Sequence, residues 1–310
     1  MVRHFLRDDD LTTAEQQQVL KLAAALKADR YGGSKPLAGP RTAIVMFDKT
    51  STRTRLSFAA GIAELGGEPL IINPGEAQLG AKESIADTAR VFSRMASLVV
   101  WRTDSQQAVV EMAEHSSIPV INALTDDFHP CQILADLLTI MEHKGQLAGL
   151  TAAYLGDTAN NMANSYLLGL ATAGMHVRLA GPAAYQPAPA VLQRATEIAR
   201  GAGGSIAVGV DPAAAISGAD VVITDTWVSM GQEAEKAARV KAFTPYQVTA
   251  ELMRQAQPDA IFMHCLPAYR GYEVAADVID GPQSVIWDEA ENRLHAQKAL
   301  MTWLLEHTEN

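Results

Sequence analysis

The sequence has few of the features that mark secreted or membrane-bound proteins. Its 310 residues include only two cysteines, Cys131 and Cys265, which argues against a disulfide framework and fits a reducing cytoplasm. No stretch approaches the roughly 18 uncharged apolar residues that a membrane span needs. The N-terminal segment lacks the apolar run of a signal peptide and is too acidic for a mitochondrial transit segment. We therefore expect a cytoplasmic protein without a membrane anchor.

Several cofactor and metal motifs are missing as well. The sequence has no P-loop, and the turn after residues 152–155 contains one glycine where a dinucleotide fingerprint needs three. It has neither His-Glu-x-x-His nor Cys-x-x-Cys, so we expect no metal site. A net charge of −10 without a block of Lys or Arg is typical of proteins that do not bind nucleic acid. A dinucleotide-dependent oxidoreductase is therefore disfavoured.

What is present is an alternation of short β-branched runs with amphipathic stretches, which is typical of βα units around parallel sheets. An apolar content of 48% suits a globular protein with a sizeable core. The predicted strands are Ala43–Phe47, Leu70–Ile72, Leu98–Trp101, Val120–Asn122, Ala152–Leu155, Val177–Ala180, Ile206–Val210, Val221–Thr224 and Ala260–His264. The predicted helices include Thr54–Leu65, Ser84–Met95, Gln106–His115, one from Pro130 towards Lys144, and a last helix with Asp288 as N-cap and Glu291 in a capping-box position.

The pattern restarts after the segment from Gly145 to Gly149, and the length favours two domains. We predict two doubly wound parallel α/β domains with the active site in the cleft between them. The first covers residues 1–145 and is joined by the C-terminal helix 289–310, and the second covers residues 146–288. In such sheets ligands bind beyond the carboxyl ends of the strands. Polar groups follow most of the predicted strands: residues 48–55, Arg102, His129, Asn160, Asn161, Asp225 and Cys265.

An anion site is predicted at residues 51–55, where Ser-Thr-Arg-Thr-Arg follows a strand and opens a helix. A helix N-terminus offers free N–H groups and the positive end of the helix dipole, and arginine forks match phosphate oxygens. A helix-capping serine followed by solvated arginines is the alternative. Arg102, at the end of another strand of the same sheet, favours the anion site.

At these residues the sequence resembles the ornithine carbamoyltransferases. Residues 47–55, Phe-x-Lys-x-Ser-Thr-Arg-Thr-Arg, are similar to the carbamoyl-phosphate signature of the transcarbamoylases, and His129-Pro130-Cys131-Gln132 is similar to their His-Pro-x-Gln motif. Residues 225–231 resemble the ornithine-type closing loop, and His264-Cys265-Leu266-Pro267 resembles the ornithine-type Cys motif. The match extends from Arg3 to the C-terminal helix.

The resemblance implies two substrate sites and no cofactor. The implied carbamoyl-phosphate site comprises Ser51, Thr52, Arg53, Thr54, Gln78, Arg102, His129, Pro130, Cys131, Gln132, Cys265, Leu266 and Arg293. The implied ornithine site comprises Asn161, Asp225, Ser229 and Met230. The implied catalytic residues are Arg102, His129, Asp225 and Cys265, with His129 donating to the carbonyl oxygen and Cys265 near the δ-amine. The side chain of Cys131, at the variable position of its motif, is expected to pack within its helix.

The resemblance also implies a homotrimer with shared active sites, in which Gln78 reaches a neighbouring subunit, and is compatible with higher assemblies. Aspartate carbamoyltransferase is the nearest alternative, but a dicarboxylate acceptor would need cationic groups where Asp225 stands. Putrescine or an N-acylated ornithine as acceptor, and a non-catalytic paralogue, remain open alternatives at this point. The expected reaction converts carbamoyl phosphate and L-ornithine to L-citrulline and phosphate.

Overall fold

The computed structural model describes residues 2–76, 83–228, 231 and 233–308. The chain divides into two compact units. Unit 1 consists of Met1–Leu138 and Glu291–Asn310, and unit 2 is Thr139–Ala290. In the described part of the chain, no helix is both long enough and apolar enough to cross a membrane.

Unit 1 is built on a parallel sheet in the order β2-β1-β3-β4. Its strands are β1 (Thr42–Phe47), β2 (Glu68–Ile72), β3 (Leu98–Arg102) and β4 (Val120–Leu124). The helices that accompany them are α1 (Thr13–Ala28), α2 (Thr52–Glu64), α3 (Ile85–Met95) and α4 (Gln106–Glu114), with a 3-10 helix at Asp8–Asp10. The chain leaves β1 for β2 on one side and returns to β3 on the other. The strand order therefore reverses between β1 and β3, which is where open α/β sheets bind ligands.

Unit 2 contains a second parallel sheet in the order β7-β6-β5-β8-β9. Its strands are β5 (Thr151–Leu155), β6 (His176–Ala180), β7 (Ser205–Gly209), β8 (Val221–Thr224) and β9 (Ile261–Met263). Its helices are α6 (Asn161–Thr172), α7 (Pro189–Ala202), α8 (Pro212–Ile216), α9 (Lys236–Phe243), α10 (Ala250–Met253) and α11 (Ala276–Ile279), with 3-10 helices at Glu233–Glu235 and Thr244–Tyr246. Here the strand order reverses between β5 and β8.

Two helices contribute residues to both units. They are α5 (Pro130–Lys144) and α12 (Ile286–Glu306). The central strands are covered on both faces, as parallel sheets require. In unit 1, Val45, Val99 and Val100 are fully buried. In unit 2 the strands pack into a cluster that includes Leu155, Val222 and Phe262.

The predicted parallel α/β architecture is confirmed, and all nine predicted strands are present with ends shifted by no more than two residues. The predicted start of the last helix is wrong. Helix α12 begins at Ile286, so Asp288 lies in its first turn and is not the N-cap. An acidic residue in a first turn is favoured by the helix dipole as well as by capping, so the sequence pattern does not separate the two positions.

Candidate active site

The N-terminus of α2 lies directly after β1, at the reversal point of the unit 1 sheet. Ser51 is the N-cap, and its Oγ accepts a hydrogen bond from the backbone N–H of Thr54 at 3.3 Å. Its extended backbone turns the chain from the strand into the helix. The N–H groups of the first helical turn are therefore presented beyond the end of the strand, where an anion is favoured.

Two guanidinium groups converge on this helix start. Arg102, the last residue of β3, donates from Nη1 to Ser51 Oγ and to Thr54 Oγ1, each at 3.4 Å. Arg293 donates from Nη2 to Thr54 Oγ1 at 3.3 Å and from Nη1 to Gln132 Oε1 at 2.6 Å. We call Ser51, Thr54, Arg102, His129, Gln132 and Arg293 the anion half-site. It brings together groups from β3, α2, α5 and α12 within unit 1.

The side chains of Gln132 and Arg293 are held in fixed positions. Both are buried, with relative exposures of 1% and 3%. Gln132 donates from Nε2 to Asp136 Oδ1 at 2.8 Å while its carbonyl oxygen accepts from Arg293. Because the amide of Gln132 is fixed at both ends, it orients the guanidinium of Arg293 towards Thr54.

His129 precedes α5 and is buried. Burial lowers the pKa of its imidazole well below the usual value, and the positive charges of Arg293, Arg102 and Arg53 lower it further. His129 is therefore neutral near pH 7, with one N–H donor on its ring. Arg293, Arg102 and Arg53 therefore all lie close enough to His129 to influence its pKa.

The other residues of the two unit 1 motifs differ in their surroundings. Cys131 is fully buried, its Sγ donates to the carbonyl of Asn122 at 3.3 Å, and burial raises the pKa of its thiol to about 12. This confirms that its side chain packs within the protein. Pro130 is the first residue of α5, and Thr52 is the exposed first residue of α2.

Arg55 and Lys49 do not join the anion half-site through the contacts that the structure describes. The guanidinium of Arg55 donates to Asn73 Oδ1 and lies over the ring of Phe47. Lys49 forms ion pairs with Asp104 at 2.5 Å and with Asp126 at 3.7 Å. The two arginines of the motif therefore have different surroundings. Arg53 lowers the pKa of His129, whereas Arg55 binds Asn73.

In unit 2, three side chains meet at the ends of neighbouring strands. Asp225 follows β8, Cys265 follows β9, and Asn160 is the N-cap of α6 after β5. The Sγ of Cys265 donates to Asp225 Oδ1 at 3.3 Å, and Asn160 Nδ2 donates to Asp225 Oδ2 at 3.4 Å. We call these residues the acid–thiol cluster. Burial raises the pKa of the Asp225 carboxyl, and its hydrogen bonds oppose that rise in part.

The backbone around Cys265 is fixed by buried polar groups. Glu289 accepts from the backbone N–H of His264 at 2.8 Å. The ring of His264 accepts from the N–H of Leu266 at Nδ1, at 2.9 Å, and lies 3.2 Å from Glu273 Oε1 through Nε2. Leu266 has a φ of 57°, in the left-handed region that a leucine rarely adopts. These contacts hold the segment that carries the thiol at the end of β9.

Asp225, His264 and Cys265 are also the one group in the described part of the chain whose side chains could together offer ligands to a metal ion. Their ligand atoms lie within 4.8 Å of one another. However, both ring nitrogens of His264 already interact with Leu266 and Glu273. The arrangement therefore fits a hydrogen-bonded cluster better than an ion site.

The remaining predicted site residues are placed as follows. Asn161 is the half-buried first residue of α6, next to Asn160 in the chain. Gln78, Ser229 and Met230 lie outside the described residues. The sequence interpretation did not assign roles to Asn160 or Tyr154. The position of Asn160 after a strand was a usable signal, whereas a buried tyrosine within a strand gave none.

Comparison with known proteins covers nearly the whole chain. Residues 3–142 match the family model described as "Aspartate/ornithine carbamoyltransferase, carbamoyl-P binding domain", and residues 148–304 match that described as "Asp/Orn binding domain". The chain belongs to the aspartate/ornithine carbamoyltransferase family.

Its relatives include proteins named ornithine carbamoyltransferase. That of Clavibacter sepedonicus is 64% identical over 98% of this chain and 99% of its own length, and that of Renibacterium salmoninarum is 64% identical over 99% and 100%. The solved structure of ornithine carbamoyltransferase from Pyrococcus furiosus has a TM-score of 0.94 at 44% identity and covers 99% of this chain and 98% of its own. An anabolic ornithine carbamoyltransferase from Campylobacter jejuni has a TM-score of 0.91 at 39% identity and covers 97% and 98%.

Proposed function

We propose that this chain transfers the carbamoyl group of carbamoyl phosphate to the δ-amine of L-ornithine, giving L-citrulline and phosphate. Relatives that bear the name of this activity match at 64% identity over nearly full length. The observation that carries the choice of acceptor is the acid–thiol cluster, in which a buried carboxylate lies 3.3 Å from a thiol. A carboxylate attracts an ammonium group and repels the second carboxylate of aspartate.

The anion half-site is the proposed binding site for carbamoyl phosphate in unit 1. Ser51, Thr52, Arg53 and Thr54 bind the phosphate at the start of α2, together with Arg102. Gln78, Pro130, Cys131, Cys265 and Leu266 complete the proposed contacts. Because Arg102 already lies between two hydroxyl acceptors, little reorganisation is needed when phosphate oxygens replace them.

The carbonyl oxygen of carbamoyl phosphate gains negative charge in the tetrahedral transition state. His129, Arg102 and Arg293 are the proposed donors to this oxygen, and Gln132 contacts the carbamoyl group. The lowered pKa leaves His129 neutral near pH 7, and its one ring N–H can donate to this oxygen. Donors that are fixed before the reaction stabilise the transition state more than the substrate.

Ornithine is proposed to bind in unit 2 through Asn161, Asp225, Ser229 and Met230. The neutral δ-amine attacks the carbonyl carbon, and the C–O bond to phosphate breaks. The amine proton leaves with the departing phosphate, so atoms and charges balance without a covalent enzyme intermediate or a cofactor. Before the attack, the δ-ammonium of ornithine must lose one proton. The thiol of Cys265 takes this proton while it passes its own to the carboxylate of Asp225, to which it is hydrogen-bonded. Orientation and electrostatics supply most of the acceleration.

We further propose a cytoplasmic homotrimer that works in arginine biosynthesis. The neighbour from Campylobacter jejuni carries the description anabolic. A reducing cytoplasm suits a site that depends on a free thiol, and Cys265 is a free cysteine. Unit 1 exposes Leu70 on its edge strand β2 and Met95 on α3, with relative exposures of 49% and 76%. Apolar side chains at an exposed sheet edge favour contact with another subunit.

The test is a carbamoylation assay that offers ornithine, putrescine, N-acetylornithine and aspartate side by side. We expect product with ornithine, at a kcat/KM at least about a hundredfold above that of the other three acceptors. A higher kcat/KM for any other acceptor would overturn the proposed specificity. No product with any of the four would favour a non-catalytic paralogue.

A further inference from the structure

Asp225 receives different donors on its two carboxylate oxygens. The thiol of Cys265 donates to Oδ1 and the amide of Asn160 donates to Oδ2. These two side-chain bonds, at 3.3 and 3.4 Å, and a backbone hydrogen bond from Thr226 fix the orientation of the carboxylate. Asn160 has no role in either proposed substrate site, and yet it provides one of the two side-chain bonds.

The amide of Asn160 is itself fixed at both ends. Its Oδ1 accepts from the backbone N–H of Ala163 at 2.8 Å, the capping bond of α6. This bond requires Oδ1 to face the helix, so the NH2 group faces the other way. Nδ2 also donates to the hydroxyl of Tyr154 at 3.2 Å. As a donor, that hydroxyl lies 3.2 Å from the carbonyl oxygen of Asp157 and 3.4 Å from Asn160 Oδ1.

Tyr154 is a firm anchor for this chain of hydrogen bonds. Its side chain is buried in β5, with a relative exposure of 1%, and its ring packs against Tyr166 at 5.5 Å between centroids. Burial raises the pKa of the phenol well above its usual value, so the hydroxyl stays protonated and can donate to Asp157. The chain therefore runs from the Asp157 carbonyl through Tyr154 and Asn160 to Asp225.

We infer that Asn160 is a positioning residue for ornithine, which holds the carboxylate of Asp225 in one orientation, and that Tyr154 anchors it. The inference rests on the proposed function, because ornithine is the ligand whose ammonium Asp225 attracts. Asn160 acts through Asp225 and not on the carbamoyl group. Its loss therefore changes the use of ornithine and leaves the binding of carbamoyl phosphate unaltered.

Two substitutions separate this role from helix capping. Serine, aspartate and asparagine cap helices about equally well, so Asn160→Ser and Asn160→Asp both keep the start of α6. Serine is too short to reach Asp225 as the amide does, and aspartate replaces a donor with a second negative charge. We expect Asn160→Ser to raise KM for ornithine about tenfold, the scale of one hydrogen bond to a charged group, and Asn160→Asp to raise it more. KM for carbamoyl phosphate should change less than about twofold in both.

Asp211→Ser is the matched control, since Asp211 caps α8 in the same unit through a bond to Ala213. Its KM for ornithine should match that of the wild type. Tyr154→Phe tests the anchor and should raise KM for ornithine several-fold. In the double variant Asn160→Ser/Tyr154→Phe, KM for ornithine should be close to that of Asn160→Ser alone. Both substitutions act through the bond from Asn160 to Asp225, so their effects are not additive.

The outcomes distinguish this inference from the proposed function. If the wild type does not carbamoylate ornithine, the proposed function fails. If the wild type is active and Asn160→Ser and Asn160→Asp both keep its KM for ornithine within about twofold, the positioning role is overturned. Equal losses in both substrates' KM values would also overturn it. Should the Asn160 variants fail to fold, an unchanged KM for ornithine in Tyr154→Phe overturns the role of the anchored chain.

Discussion

Asp157 and Arg239 form a buried ion pair in unit 2, with side-chain exposures of 6% and 4%. Arg239 also donates from Nε to the backbone carbonyl of Trp227 at 2.6 Å. Its guanidinium lies 5.0 Å from the centre of the Tyr185 ring and 5.2 Å from that of Phe243. Arg239 thus joins the turn after β5 to the segment that follows Asp225.

Arg239→Met should therefore destabilise the protein. The substitution leaves the carboxylate of Asp157 buried without its cation and removes the bond to Trp227. Removing one partner of a buried pair typically costs about 3–5 kcal/mol. Urea unfolding, followed by tryptophan fluorescence, measures the change. Arg270→Met is the matched control, because Arg270 and Asp280 pair on the surface, and its unfolding midpoint should match that of the wild type. Equal unfolding midpoints in the wild type, Arg239→Met and Arg270→Met would contradict a stabilising role of the Asp157–Arg239 pair.

Arg102→Ala should lower kcat at least about a hundredfold, the scale of losing a donor to the transition state. Circular dichroism should show an unchanged fold, because the proposed role of this guanidinium is to bind the substrate. Arg55→Ala is the control, because Arg55 lies in the arginine-rich motif but binds Asn73 outside the anion half-site, and its kcat should fall less than about tenfold. Near-normal turnover in Arg102→Ala would remove Arg102 from the proposed mechanism.

Cys265→Ser should affect ornithine more than carbamoyl phosphate. Attack needs the neutral δ-amine, whose reference pKa is about 10.4, as in lysine, so the rate should rise from pH 6 towards pH 9. If the thiol assists deprotonation, the variant should show a higher KM for ornithine and a changed pH profile. Calorimetry should find that carbamoyl-phosphate affinity falls less than ornithine affinity. An unchanged ornithine affinity together with an unchanged pH profile would exclude the role of Cys265.

A shared active site predicts complementation between two inactive variants. Gln78→Ala and Cys265→Ala homotrimers should each be poorly active. When they are dissociated, mixed in equal amounts and reassembled, about a quarter of the interfaces combine an intact Cys265 with a neighbour's intact Gln78. Activity should recover to near that fraction of the wild type. No recovery in confirmed hybrid trimers would place Gln78 in the site of its own chain.

Acidification should weaken unit 1 through His4. Burial lowers the pKa of His4 to about 4 from its usual 6.5, and its Nδ1 accepts from the N–H of Val120 at 3.1 Å. The unfolded chain therefore binds this proton first, and stability falls as the pH drops from about 6.5 to about 4. His4→Asn keeps an acceptor but does not titrate. Between pH 7 and 4.5 the wild type should lose about 2–3 kcal/mol more than the variant in urea unfolding. Parallel losses would contradict the effect.

The strands and the motif positions could be predicted from the sequence because their signals are local. A run such as Ala-Ile-Val-Met-Phe at 43–47 identifies a buried strand, and parallel topology brings the residues after each strand to one edge. These two rules are sufficient to place Arg102 near Ser51, and Asp225 near Cys265. The register of unit 1, in which Phe47 aligns with Arg102, is what brings β3 to the start of α2.

Contacts between distant residues could not be predicted in the same way. Nothing near Arg239 in the sequence points to Asp157, which lies 82 residues away. Arg55 gave a misleading signal, because its position in a phosphate-type motif does not determine which neighbour its long side chain reaches. The division between Arg53 and Arg55 depends on Asn73, whose position is set by the end of β2.

The path of α12 has a consequence for the order of synthesis. Its residues from Glu291 onwards belong to unit 1, where Arg293 binds Thr54 and Lys298 binds Glu64. The ribosome makes all of unit 2 before it makes these residues, at about 5–20 residues per second. During tens of seconds of synthesis, the nascent chain therefore contains Thr54 and Glu64 but neither Arg293 nor Lys298. The proposed carbamoyl-phosphate site therefore receives Arg293 only when translation is nearly finished, and a prematurely terminated chain should have an incomplete site.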